Sequence, residues 1–410
     1  MLRPYVQVVR APGALLPLVA SFAGGGLPIG MLTLAVLLLV RLQSGSILGA
    51  GLMAAALSAG NAAGVVVQGV LIDRRGQTLV LVCASLTCLS SFVALVAVTA
   101  RGGQPALSAC LAAAGGAAIP ATPSSMRVLW TAVVADPRLR MTAYALSAVT
   151  FTAATILGPV LVSGLLLLGG PQVAVLVAAG LAGGGGVLFA VTPASRRWTP
   201  AAAPARARAT RRARIWPGAG IWPGAGMRTL IAGNLAIGLA AGLSGVAVPA
   251  AAIALGAAAL AGVFGAAGAA GDLCGGLVYG SRRWHLPLAS RLVAGQCGAA
   301  IAGVCLALAS GSVPGMMLAM PLSGAAGAIQ GITATTLLDD VAEPGTLTGS
   351  YALLVSCGLA GIAAGYAVGG TLVGAVGIRD TFLIGAAAGL AASGWYAHRL
   401  RTLQPRAIRG

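Results

Sequence analysis

The residues of this 410-residue chain able to do charge chemistry are few: seven carboxylates, two histidines and 25 basic residues, all of them arginine. Asp272 and Arg127 lie inside long apolar runs. An acid inside a membrane span is costly and by default marks function, which makes Asp272 a candidate for proton coupling. The alternatives are a structural ion pair or a place near the membrane surface. Arg127 either binds an anionic group or snorkels its guanidinium to the interface. Asp339, Asp340 and Glu343 are spaced to hold a magnesium ion, but such a site needs further oxygen ligands. With four other acids in the chain, none is at hand to complete it. His285 and His398 have no acid or nucleophile at useful spacing. No phosphate-binding GxxxxGK[ST] loop occurs. No enzyme, cofactor or metal is expected.

A second group of charges is organised differently. Gly69-Val-Leu-Ile-Asp73-Arg74-Arg75-Gly76 separates two apolar runs, and Gly276-Leu-Val-Tyr-Gly280-Ser281-Arg282-Arg283 repeats it 207 positions later without the acid. The same offset relates Asp136-Pro137 to Glu343-Pro344, Tyr144-Ala-Leu to Tyr351-Ala-Leu, and Gly158 to Gly365. The chain is therefore doubled, in two halves of the same orientation.

The elements that carry these residues are set by composition. Hydrophobic residues make up 58% and charged residues 8%, against about 25% charged in soluble domains, and mean hydropathy is +0.95. A bilayer-spanning helix needs about 20 apolar residues. The sequence supplies twelve runs, at 14–40, 46–72, 79–99, 105–134, 141–168, 171–192, 227–254, 257–280, 285–309, 311–337, 347–376 and 380–398. The first is too long for a cleaved leader. The expected fold class is an all-α membrane protein of twelve transmembrane helices in two pseudo-symmetric six-helix bundles. Residues 1–193 form the N-terminal bundle, 194–226 a central loop, and 227–410 the C-terminal bundle.

With both termini inside, twenty arginines fall in cytoplasmic segments, against Arg41, Arg101 and Arg379 outside. Such a bias sets orientation and explains the net charge of +18 without nucleic acid. The lack of Lys, with abundant Ala, Gly and Arg, points to a GC-rich bacterial genome and hence to the bacterial cytoplasmic membrane. The central loop contains Ile215-Trp-Pro-Gly-Ala-Gly repeated at Ile221, beside arginines and Trp198. It is either a tolerant linker or a contact with anionic lipid. The 62 glycines suit close helix packing in lipid. Gly24-Gly25-Gly26 with Pro28, and Pro120 with Pro123, should loosen the first and fourth helices, which membrane proteins tolerate only away from lipid. Seven cysteines without CxxC spacing read as packing residues.

The pattern Gly69-x-Leu71-x-Asp73-Arg74-x-Gly76, twelve spans and a half-length repeat resemble the major facilitator superfamily across nearly the whole chain. The resemblance implies a monomeric transporter of small molecules, coupled to protons, in which Asp73 braces a cytoplasmic gate. Loop 10–11, with Asp339, Asp340 and Glu343, is the natural partner of Arg74 and Arg75, whereas Arg282 and Arg283 face a mixed loop. The alternative role of this loop is topological anchoring alone. Gly158-Pro159 is similar to the core of the helix 5 motif of family exporters and favours efflux, although the surrounding glycines are replaced. The arginine that many exporters carry early in helix 4 is absent. Asn234, Gln330, Tyr144 and Tyr351 are candidate cavity residues, or else bond neighbouring helices. So few polar groups favour a hydrophobic or amphipathic substrate. An uptake permease, or a non-transporting sensor or scaffold of the same fold, is the alternative.

Overall fold

In the computed structural model, residues 3–134, 136–198, 224–282, 284–342 and 347–403 are described. They are almost entirely helical, and no strand occurs among them. Twelve long helices follow in order: α1 Leu15–Ser44, α2 Ile47–Arg75, α3 Gln77–Ala100, α4 Pro105–Val133, α5 137–169, α6 171–191, α7 Ala225–Ala254, α8 Leu260–Ser281, α9 Leu288–Ala309, α10 Val313–Val341, α11 Leu347–Ala375 and α12 Ile378–His398. Among the described residues ten stretches are long and apolar enough to cross a bilayer. One of these holds both α5 and α6, and α12, whose first turn carries Arg379 and Asp380, is less apolar.

Single glycines make several of the turns. Gly76 joins α2 to α3 with φ 87°, Gly170 joins α5 to α6 with φ 79°, and Gly377 joins α11 to α12 with φ 92°. Side chains resist this left-handed region, so glycine is the natural residue there. Gly170 and Gly377 are themselves 207 positions apart, and the turn carries the repeat into the backbone. Ser46 caps α2 by accepting from the Gly49 N–H at 2.9 Å, and Ser312 caps α10 by accepting from Gly315 at 3.2 Å.

The two halves pack alike. Helix α1 lies against α5 and α6, as α7 lies against α11 and α12; α2 meets α4 as α8 meets α10; α3 meets α4 and α6 as α9 meets α10 and α12. Small residues bring these backbones together. A Cβ at Gly60 would stand 2.1 Å from the Ala113 carbonyl oxygen, and one at Gly271 would stand 2.1 Å from that of Pro321. Without a hydrophobic drive between helices in lipid, such close packing is the main source of cohesion. The halves meet along two seams, α2 with α11 and α5 with α8.

The N-terminal half departs from regularity where the glycine and proline clusters fall. Helix α1 contains a π-turn at Phe22–Gly26, and α4 is interrupted between Ala117 and Thr122. The two irregularities touch: a Cβ at Gly25 would lie 2.5 Å from the Pro123 side chain. Gln68 of α2 bridges the interruption. Its Nε2 donates to the carbonyls of Ala117 (2.9 Å) and Ile119 (2.8 Å), and its Oε1 accepts from the Ala121 N–H (3.0 Å). The backbone groups that the break would leave without partners in an apolar interior are thereby satisfied. A short helix, Arg3–Arg10, precedes α1 and buries Val8; it lies outside the apolar runs and escapes a hydropathy reading.

The buried core is divided unevenly. Toward the α1–α2 loop, residues of both halves, among them Met31, Leu57, Val246 and Phe264, form one cluster. Toward the α2–α3 loop there are two separate clusters. One, around Trp130 and Phe189, belongs to the N-terminal half, and the other, around Leu292 and Tyr396, to the C-terminal half. The bundle is joined at one end and divided at the other.

Candidate functional site

The α5–α8 seam builds the site. At Gly262 the two backbones nearly touch: an added Cβ would be 1.8 Å from the Pro159 carbonyl oxygen and 2.2 Å from Ser163 Oγ. Gly265, one turn on, still faces the Pro159 ring at 3.4 Å. Seven residues make about two helical turns, so Asp272 shares the face of Gly265, as Thr152 shares that of Pro159. There the seam has opened. Thr152, Asp272 and Gly276 line a cavity of about 500 Å³ completed by Gly327, Gly331 and Thr335 of α10. Asp272 is exposed to it, and among the described residues no ion pair holds its carboxylate.

A second cavity, of about 330 Å³, lies deeper, under the joined end of the bundle. It is enclosed by α1, α5, α7, α8, α9, α10 and α11, and thus by both halves. Its walls are apolar except for Thr33, Ser244, Ser323 and Tyr366, and none of the residues lining it is charged. Gly158 and Pro159 form the shoulder between the two cavities: Gly158 packs on Gly30 of α1, and Pro159 lines the deeper space.

Other candidate residues are distributed unequally. Arg127 and Tyr144 are brought together, the guanidinium carbon 5.1 Å from the ring centroid, a cation–π geometry. Asn234 donates from Nδ2 to the Leu354 carbonyl on α11 at 2.7 Å, and so ties α7 to α11. Gln330 is buried with Nε2 unpartnered and packs by its backbone against Gly295 of α9, lining neither cavity. The side chains of Tyr351 and Asp339, and all of Arg283 and Glu343, lie outside the described residues. Asp73, Arg74 and Arg75 are exposed at the end of α2 and Asp340 is half-buried; no ion pair joins Arg74 or Arg75 to Asp340 among the described residues. Gly69 has nothing within 4 Å of an added Cβ, and Gly76 is held by its positive φ.

Sequence reasoning passed over one network. Tyr279, which stands 207 positions after Ile72, accepts at its hydroxyl from Arg291 Nη1 (3.1 Å) and Thr333 Oγ1 (3.2 Å), linking α8, α9 and α10. Its ring also packs on Trp284 at 5.0 Å, and Arg282 lies over that indole at 5.4 Å. In the second half this network, which holds no acid, stands beside Gly280, the position where the first copy has Asp73. The repeat offset, which sets Tyr279 in the register of Ile72, was the available signal.

No family model matches the sequence, and no curated protein matches it. Solved structures do. The nucleoside transporter NupG is 13% identical, with a TM-score of 0.71 over 94% of this chain and 98% of its own. A bacterial homolog of the human lysosomal transporter Spinster, in an inward-facing and unoccupied conformation, is 13% identical with a TM-score of 0.72, over 96% and 98%. A D-xylose-proton symporter is 16% identical with a TM-score of 0.64, over 92% and 96%. At these identities it is the architecture that is shared, and the chain has the twelve-helix fold of these transporters.

Proposed function

We propose that the chain is a secondary transporter working by alternating access, which exports a small hydrophobic or amphipathic compound in exchange for protons. The observation that carries this reading is the division of the core, one cluster at the α1–α2 end and two at the other. Two packed bodies that share one core cluster at one end and part at the other can rock about a central cavity. The arginine bias assigns the open end to the cytoplasm, so the conformation is inward-facing in a bacterial cytoplasmic membrane. In this reading Asp272 is the coupling carboxylate, open to the cytoplasm now and shielded once Thr152 and α5 close over it. Arg74 and Arg75 meet the acids of the α10–α11 loop in the closed state, and Asp73 braces that gate against α11. Arg127 and Tyr144 pair with each other and line neither of the two cavities described.

Efflux is favoured by Gly158-Pro159. Uptake is the second reading, since one of the similar structures is a proton symporter and the same geometry serves either direction. The test is flux in proteoliposomes under an imposed pH gradient, screened with labelled amphipathic compounds. Substrate-dependent proton movement that Asp272→Asn abolishes supports the mechanism. Coupling unchanged in that variant removes Asp272 from it, and no flux of any compound favours a scaffold.

A further inference from the structure

We infer that the substrate is uncharged and is recognised in the deeper cavity by the hydroxyls of Thr33, Ser244, Ser323 and Tyr366, out of reach of Asp272. The inference rests on the transport reading above and adds the substrate class. Hydroxyls in spans commonly bond back to their own helix, as Thr335, Thr336, Thr371 and Thr381 do here. The four cavity hydroxyls, from α1, α7, α10 and α11, make no hydrogen bond among the described residues, and all four line one space of about 330 Å³. That volume is near the lower end of the roughly 300–1,000 Å³ typical of small-molecule sites, where a few polar groups fix orientation in an apolar pocket. Each hydroxyl can both donate and accept, so the matching ligand carries hydroxyl, carbonyl or amide groups on a compact apolar body.

The glycine at 245 makes room for the arrangement. An added Cβ there would stand 2.8 Å from the Tyr366 hydroxyl, so only a bare backbone lets that ring approach α7. A carboxylate or ammonium group would enter this space with no opposite charge to meet it, and desolvating an unpaired charge is strongly unfavourable. Asp272 offers no remedy, for it lies seven residues along α8 from Gly265, a rise of about 10 Å. Substrate and proton therefore occupy separate levels of the α5–α8 seam and communicate through the seam rather than by contact.

The test uses three probes of matched size, phenylpropanamide, phenylpropanoate and phenylpropylammonium, with the full chain in nanodiscs of neutral lipid. Equilibrium binding should be saturable for the amide and at least about tenfold weaker for both ions. Ser323→Ala and Tyr366→Phe should each weaken the amide about fivefold, the worth of one hydrogen bond, and Ser323→Asp should turn the preference toward the ammonium. An ion that binds as tightly as the amide overturns the inference, as does saturable binding of none of the three at millimolar concentration. Amide binding without flux of any compound rejects alternating access and leaves the neutral site standing. Flux of a charged compound without amide binding rejects the substrate class and leaves transport standing.

Discussion

Replacing Gly262 by alanine should push the two halves apart at the joined end. The added Cβ would sit 1.8 Å from the Pro159 carbonyl oxygen, and contacts under 3.0 Å are essentially never adopted. The gap must therefore grow by 1.2 Å, the difference between these distances. The obstructing atom is backbone, held in α5, so no side chain can swing away. Overpacking of this kind costs about 1–3 kcal/mol. The fold has an outlet for that strain, because the seam can part at the α1–α2 end while the other end closes. A destabilisation of one state by about 1–3 kcal/mol shifts a two-state equilibrium by roughly fivefold to 150-fold. Paired spin labels at Gln104 and Ala257, in a background free of the native cysteines, would read the separation of the halves at that end. Gly262→Ala should add a longer distance population that the parent lacks. Gly164→Ala, on the facing helix α5, is the control, since nothing beyond its own helix backbone lies within 4 Å of an added Cβ. A Gly262→Ala protein with parental distances and parental thermal stability would refute the close approach, and with it the seam as the moving contact.

The other predictions concern single residues. Gln68→Ala strips the partners from Ala117, Ile119 and Ala121, and each abandoned buried group costs about 1–3 kcal/mol; thermal unfolding in detergent should fall sharply, and an unchanged midpoint would show that the α4 break supports itself. Asn234→Ala loses one bond between α7 and α11, worth about 0.6 kcal/mol in membranes, and should leave probe affinity intact, whereas a large affinity loss would return Asn234 to the cavity. Gly377→Ala forces a side chain into φ 92° at about 1–2 kcal/mol, measurable as a lower unfolding midpoint beside Gly374→Ala, which meets nothing closer than 3.8 Å. Tyr279→Phe removes the acceptor of Arg291 and Thr333, and proteolysis near Trp284 should accelerate; an unchanged cleavage rate would mean that ring packing alone holds that loop.

Much of the architecture is legible along the chain because lipid imposes a simple rule, that apolar runs of sufficient length become helices. The runs, the half-length repeat and the glycine turn at Gly76 follow from residue type and spacing. So do the irregular places in α1 and α4, since glycine and proline clusters interrupt the ordinary hydrogen-bond ladder wherever they occur. That those two irregularities touch, and that Gln68 stitches one of them, required helices distant in sequence to be set side by side. The polar candidates divided for the same reason. Asn234 and Gln330 carry the more strongly polar side chains, yet one is consumed by a neighbouring carbonyl and the other is buried beside α9.

The hydroxyls that line the deeper cavity, Thr33, Ser244, Ser323 and Tyr366, have nothing in their local sequence to distinguish them from those that bond to their own helix. Which hydroxyl remains open depends on rotamer and on the helices opposite. The sequence by itself determined that this is a doubled bundle of membrane helices, because hydrophobic length and charge bias are properties of single segments. Only the tertiary structure decided where the halves join, where they part and which groups face the space between them, because those are relations between segments far apart in the chain.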